Sequence, residues 1–400
     1  MRAVGIVAEY NPFHKGHEYQ IRRIREMFGD NTPIVVALSG DFVQRGGAAV
    51  FSKFARAEAA VRCGVSLVLE LPLPWCMSSA EAFARGGIGL LQAAGVVDTV
   101  CFGSECGNTE PLRRCAGILD SPEYSQILRD ELKKGLSFAA ARENSVRALA
   151  GDLGTILGFP NDILGVEYFR AAESMGFNVD FVTIARNGTA HDAPGSASDL
   201  RCRMEEGAHW MEDIPPEAAA VFAREIRKGR GPVLPEDLRI PLVSRLRACA
   251  KKDFASVPDG GEGLENLLYD ASRSENSPEE MAMAAKSKRY ALSRLRRMIY
   301  SAALGICEDM TREIPPYIRV LALDEKGAEL LREMKNAAKL PILTKPAHIR
   351  RLGETAQDIF ALGSGAHDLY VLGYRDMAQQ TGGGDYRTGP YIHPSKGENQ

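Results

Sequence analysis

The sequence predicts an α/β fold: a parallel sheet covered by helices, then a mainly helical region, then a small C-terminal α/β region. Three observations carry this. Short β-rich apolar runs alternate with helical patterns over the first two hundred residues, as in a sheet covered on both faces. Helical spacing takes over after residue 198, and a strand-then-helix signal returns beyond residue 311. A chain of 400 residues also exceeds one comfortable core. The expected division is 1–200 for the sheet domain, 201–310 helical, 311–380 α/β, and a mobile tail over 381–400.

Residues 3–8 (AVGIVA) read as the first buried strand, and 19–28 as a helix with Ile21 and Ile24 inward. Residues 33–38 (PIVVAL) form a second strand, closed by Ser39-Gly40-Asp41. An Ala-rich helix over 53–63 ends where Gly64 suits a C-cap. Then come a strand over 65–71, a helix over 79–94 and a strand over 99–102, ending at Gly103. A charged helical excursion (111–150) precedes a helix over 163–175 and a strand over 178–185. This Rossmann-like pattern places ligands at the carboxyl ends of the strands. Later helices are expected over 199–212, 216–228, 240–250, 263–270 and 277–304, separated by Gly/Pro breaks. Residues 317–323 read as a strand, 326–338 as a helix and 341–345 as a short strand.

With 45% hydrophobic residues, 25% charged and a net charge of −3, the chain is ordinary globular material, not basic throughout. A local basic patch for nucleic acid remains open. No apolar run approaches the roughly 18 residues of a membrane span. The opening MRAVGIVAEYNPFH has no apolar signal region or cleavage site. Eight cysteines without a CxxC pair suit reduced thiols in a cytoplasm, and the scattered Cys and His lack metal-ligand spacing.

The strongest local signal is a strand, then Glu9-Tyr10-Asn11-Pro12-Phe13-His14-Lys15-Gly16-His17, then a helix. Two imidazoles at a helix start donate hydrogen bonds to phosphates, and the helix dipole adds to the field. Such donors stabilise charge on an α-phosphate as pyrophosphate leaves, so His14 and His17 are the candidate catalytic pair. Gly16 removes a side chain where a planar base approaches the backbone. Helix capping is the plainer explanation of the same histidines. Far along the chain lie Arg186, His191-Asp192 and Gly195-Ser196-Ala197-Ser198-Asp199-Leu200-Arg201. Small hydroxyls at a helix start, with Arg201 one turn further in, suit an anion; an ordinary N-cap explains SASD alone equally well. Together the two segments favour a nucleotide.

This pair resembles the nucleotidyltransferase superfamily, in which HxGH and an SSTxxR-like helix start flank the triphosphate of ATP. Further blocks run in the order found in the tRNA(Met) cytidine acetate ligase family: GIVAEYNPFHKGH, LSGDFVQRG, KFARAEAAVRCGVSLVLELP, FGSE, PNDILGVEY, SASDLR, EGLEN and KSKRYALSRLRRM. They span roughly residues 5 to 300. The resemblance implies an enzyme that activates acetate with ATP as acetyl-adenylate, releasing pyrophosphate. It then acetylates N4 of the wobble cytidine of elongator tRNA(Met), with Mg²⁺ as counter-ion of ATP. It places the ATP site on Val7, Ala8, Glu9, Tyr10, Asn11, Pro12, Phe13, His14, Lys15, Gly16, His17, Glu18, Tyr19 and Gln20, and on Gly103, Asn161 and Arg186. Ser198 and Arg201 join them as the SSTxxR-like start. Gly103 ends a strand at the ligand edge, where a turn glycine is equally at home. Asn161 begins a helix, as an N-cap or as an amide turned to the base. Asp41, Gln44 and Arg45 follow the second strand and are candidates for the acetate or cytidine side, Asp41 being as readily a turn residue. Glu105 is read as a polar support or a base.

Residues 286–297 (KSKRYALSRLRR) hold six basic residues and no acid, after eight acids and one Arg over 253–280. Lys286, Lys288, Arg289, Arg294, Arg296 and Arg297 are the candidate tRNA contacts, although an amphipathic helix with a solvated charged face looks much the same. Two other readings compete: a small-molecule adenylyltransferase with the same HxGH site, and a non-catalytic RNA- or nucleotide-binding module. The large helical second half with its basic strip disfavours the first, and the intact motif residues disfavour the second.

Overall fold

The computed structural model describes residues 2–185 and 194–394. Its main sheet starts with β1 (Ala3–Ala8) and β2 (Ile34–Ser39), paired in parallel from Val4 opposite Ile34 to Ala8 opposite Leu38. A short antiparallel hairpin, β3 (Phe42–Val43) and β4 (Gly47–Ala48), follows. Then come β5 (Leu67–Leu71), β6 (Val97–Ser104) and β7 (Asp180–Ala185). Across the sheet the order is β5-β2-β1-β6-β7, every pair parallel. All of β2 and β5 is buried, Glu70 included, as strands are when both faces of a sheet are covered. The chain winds outward from β1 in both directions, so the crevice for a ligand opens between the carboxyl ends of β1 and β6.

The C-terminal region forms no sheet of its own. β8 (Ile318–Leu323) lies antiparallel against β5, and β9 (Ile342–Leu343) and β10 (Tyr391–Ile392) share its other edge. The reason is legible in IRVLAL, buried at all six positions: it needs cover on both faces, and β5 would otherwise present an open edge. Within the expected mobile tail, the described residues 381–394 are docked through Asp385 and β10. Buried Lys53 bonds Glu70 and Asp385, both at 2.7 Å, while Arg319 reaches the same two carboxylates at 3.0 and 3.1 Å. His367 Nδ1 lies 2.8 Å from Asp41. These ions tie the chain's last elements to its first domain.

Two helical expectations also change. The helix expected over 277–304 is two, Pro278–Ala284 and Leu292–Leu304, with an irregular stretch between them. The helix Glu354–Tyr370 had no counterpart in the sequence reading; Gly363 and Gly365 in its interior weaken its signal. The helices Arg239–Ala248, Leu264–Ser274 and Leu292–Leu304 share one apolar core with Phe42, Trp75 and Phe83 near the crevice.

Candidate active site

The chain leaves β1 through Tyr10, a buried residue in the left-handed region at φ 46°. A non-glycine there is strained, and its neighbours hold it. Asn11 Oδ1 accepts from Val50 N–H at 2.8 Å, and Tyr10 packs edge-on against Phe13 and His17. The helix Lys15–Phe28 is then capped by imidazoles. His14 Nδ1 accepts from Gly16 N–H at 3.0 Å, and His17 Nδ1 accepts from His14 N–H at 3.3 Å. This is a capping box with histidine in both roles. Because both Nδ1 atoms accept, the hydrogen of each neutral ring is assigned to Nε2. A Cβ at Gly16 would stand 2.7 Å from His14 Cε1, so the bare backbone makes room for the folded-back ring.

A second helix start faces the same cleft. Ser196 caps the helix Ala197–Glu205 by accepting from Asp199 N–H at 3.2 Å. Arg201 joins the two starts: Nη1 donates to the Asn11 carbonyl at 2.8 Å and Nη2 to Ser198 Oγ at 3.2 Å. Burial lowers the Arg201 pKa; Glu9 opposes that shift and Arg45 adds to it. Two helix N-termini, an arginine and two imidazoles therefore line one cleft, an arrangement whose chemistry suits an anion.

On the β6 side, Glu105 and Asp162 brace each other's backbone. Asp162 Oδ1 accepts from Ser104 Oγ at 2.5 Å and Glu105 N–H at 2.9 Å. Glu105 accepts from the Asn161 side chain at 2.5 Å and from Asp162 N–H at 3.0 Å. Glu105 is thus a support in this geometry.

The cleft holds about 1160 Å³ and is lined by Val7, Ala8, Glu9, Tyr10, Asn11, His14, Lys15, Gly16, His17, Tyr19, Gln20, Gly103, Asn161, Ser198 and Arg201. Three expected positions stand apart from it. Pro12 and Phe13 are buried in support of the loop, and Glu18 is exposed on the helix. Arg186, like His191 and Asp192, lies outside the described residues. Gln44 and Arg45 line the cleft, but Asp41 is buried with His367 and Lys53. Of the basic strip, only Arg297 lines it, paired with Asp259 at 2.6 Å. Arg289 pairs with Glu262 at 3.1 Å and Arg296 with Glu279 at 3.5 Å, while Lys286 and Lys288 are exposed. Sequence reasoning missed the wall made by Ser79, Glu81 and Phe83. Its signal was the Ser-Ser-Ala-Glu start of a helix after β5, where Ser79 Oγ accepts from Ala82 N–H at 3.3 Å. It also missed Tyr168, whose buried hydroxyl is pushed well above its usual pKa by desolvation and by Glu9.

A model of the HIGH nucleotidyl transferase family matches residues 1–385. The tRNA(Met) cytidine acetate ligase of Caldanaerobacter subterraneus subsp. tengcongensis is 35% identical over 392 residues, covering 94% of this chain and 97% of its own. The chain belongs to the tRNA(Met) cytidine acetate ligase family. The family member from Thermotoga maritima is 36% identical over 416 residues, covering 96% of this chain and 98% of its own. The crystal structure of Thermotoga maritima TmcAL bound with alpha-thio ATP superposes with a TM-score of 0.91 at 34% identity, covering 98% of this chain and 99% of that one. An apo form of the same ligase gives 0.92 over the same shares.

Proposed function

We propose that this chain is an ATP-dependent ligase that forms N4-acetylcytidine at the wobble position of elongator tRNA(Met). The observation that carries the reading is the convergence of His14, His17 and the Ser196–Arg201 helix start on one cleft. In the first step an acetate oxygen attacks the α-phosphorus of ATP and the bond to pyrophosphate breaks, giving acetyl-adenylate. Positioning and charge stabilisation dominate such a step. The Nε2–H groups of His14 and His17 meet the charge developing on the phosphates, with the Arg201 guanidinium beside them. In the second step N4 of cytidine attacks the acetyl carbonyl, AMP leaves and N4 gives up a proton.

Among the described residues no three His, Cys, Asp or Glu side chains gather as a cation site. Mg²⁺ is assigned the role of counter-ion to ATP, and no step is routed through it. Gln44, Arg45 and Arg297 line the cleft and are assigned to the acceptor, and the exposed Lys286, Lys288 and Arg289 are assigned to its phosphates. The setting is the cytoplasm. All eight cysteines are unpaired, and no helix among the described residues is long and apolar enough to cross a membrane.

The test is incubation with ATP, labelled acetate and bacterial tRNA, followed by digestion and mass spectrometry. ATP-dependent label in N4-acetylcytidine of elongator tRNA(Met), lost in His17→Ala, is the expected result. Acetate-dependent pyrophosphate release without labelled RNA would leave an activating enzyme with another acceptor. Neither signal would sink the ligase reading.

A further inference from the structure

The turn after β6 and the start of the helix Pro160–Ser174 are locked together by Glu105 and Asp162, and the lock decides which atom of Asn161 meets the ligand. A carboxylate only accepts hydrogen bonds, so the side-chain nitrogen of Asn161 must be the atom 2.5 Å from Glu105 Oε1. The second Glu105 oxygen is held by Asp162 N–H at 3.0 Å, and Asp162 holds Glu105 N–H in return at 2.9 Å. Neither partner can turn without breaking the other's bonds. Asn161 lines the cleft, and with one side-chain N–H held by Glu105 its carbonyl oxygen is the acceptor it can offer there.

The neighbourhood of that oxygen suits a base. His14, His17 and Arg201 gather the phosphate-binding groups at the β1 loop, so a nucleoside laid along the carboxyl edge of the sheet passes β6. On β6, β7 and the first residues of the helix Pro160–Ser174, the cleft-lining Phe102, Gly103, Ile163, Leu164 and Ile184 are apolar, and Asn161 supplies a polar side chain among them. We propose that Glu105 is a positioning residue that holds Asn161 as an acceptor for the 6-amino group of adenine. The site thereby selects adenine over a purine with a carbonyl at that position. The inference rests on the reading that this cleft takes ATP. Were the amide reversed, its N–H groups would favour the carbonyl-bearing base, so the sign of the preference is set by Glu105.

The experiment is equilibrium binding of ATP and of inosine triphosphate to the full chain, without acetate or tRNA. Wild type, Glu105→Gln, Glu105→Ala, Asn161→Ala and the Glu105→Gln/Asn161→Ala double variant are compared. Wild type is expected to favour ATP by about tenfold or more, the worth of one well-placed hydrogen bond with its mismatch. A glutamine at 105 both donates and accepts, so Asn161 turns over and the preference falls to about threefold or less. Glu105→Ala frees the amide equally and serves if Glu105→Gln does not fold. Asn161→Ala also loses the preference, and adding Glu105→Gln to it changes the ratio no further. A wild-type ratio retained in both Glu105 variants, or no preference in wild type, would overturn the positioning role alone. Failure of both nucleotides to bind wild type would overturn the ATP reading and this inference with it.

Discussion

His17 Nδ1 accepts the backbone N–H of His14, and the two rings sit 3.9 Å apart between centroids. Each imidazole thus satisfies a helix-end donor with its Nδ1, and this capping is compatible with the phosphate binding proposed for the same ring. His17→Ala is expected to slow ATP–pyrophosphate exchange by about 10²–10³-fold, the loss typical of one preorganised donor. Losing the cap costs only about 1 kcal/mol of stability. Binding of tRNA in a filter assay stays near wild type. Unchanged exchange would make the histidine a cap and nothing more.

The basic strip divides by exposure. Lys286, Lys288 and Arg289 are exposed, while Arg297 is tied to Asp259 beside the cleft. Exposed pairs are weak, so the Arg289–Glu262 contact yields readily to a phosphate. Charge reversal at Lys286, Lys288 and Arg289 is expected to weaken tRNA binding and flatten its salt dependence, each lost phosphate contact taking about 0.7–0.9 off the log–log slope. ATP–pyrophosphate exchange should not move. An unaltered slope would place the tRNA elsewhere.

What was legible in the sequence is what local pattern encodes. AVGIVA followed by HxGH marks β1 and the helix start, because strand propensity, the turn and the capping residues lie within twenty residues of each other. Lys53 and Asp385 are 332 positions apart, and nothing in GDYR announces a carboxylate buried under the sheet. Asp41 sat in an ordinary Ser-Gly-Asp turn and became a partner of His367 through tertiary contact alone. The Arg-rich run looked like one helix until the irregular stretch between Ala284 and Leu292 turned its first half outward.

The docked C-terminus is expected to be a stability element. Asp385→Ala leaves Lys53 and Arg319 sharing Glu70 in a site with almost no exposure. Breaking a buried ion cluster in this way costs about 3–5 kcal/mol, read from the denaturant midpoint at constant slope. A change under about 1 kcal/mol would mean that water or a rearranged tail replaces the carboxylate.

The Asp41–His367 pair gives stability a pH signature. Burial alone raises the Asp41 pKa, but His367 and Lys53 outweigh it and hold the carboxyl below its ordinary 3.8. Burial alone lowers that of His367, and Asp41 reverses this, raising it above 6.5. For the depressed acid the contribution is present above 3.8 and lost as pH falls through the folded value. For the raised imidazole it is full below 6.5 and lost as pH rises through the folded value. The pair's contribution is therefore full between pH 3.8 and 6.5, and His367→Gln should remove the alkaline part of the loss. Melting temperature against pH for both proteins checks this; parallel curves above pH 6.5 would refute it.

Gly16→Ala separates geometry from propensity. Alanine is the better helix former by about 1 kcal/mol, so on propensity alone the variant is more stable. Its Cβ, however, would stand 2.7 Å from His14 Cε1 and 2.9 Å from Nδ1, closer than real contacts allow. The ring must swing away, and the Gly16 N–H then loses its acceptor while His14 leaves its place beside His17. The expected outcome is a melting temperature within a few degrees of wild type and ATP–pyrophosphate exchange reduced about as much as in His14→Ala, roughly 10²-fold or more. The double variant Gly16→Ala/His14→Ala should then be no worse than either single one, since both act through the same ring. Additive losses would show that the glycine serves the ligand directly, through close approach of its backbone.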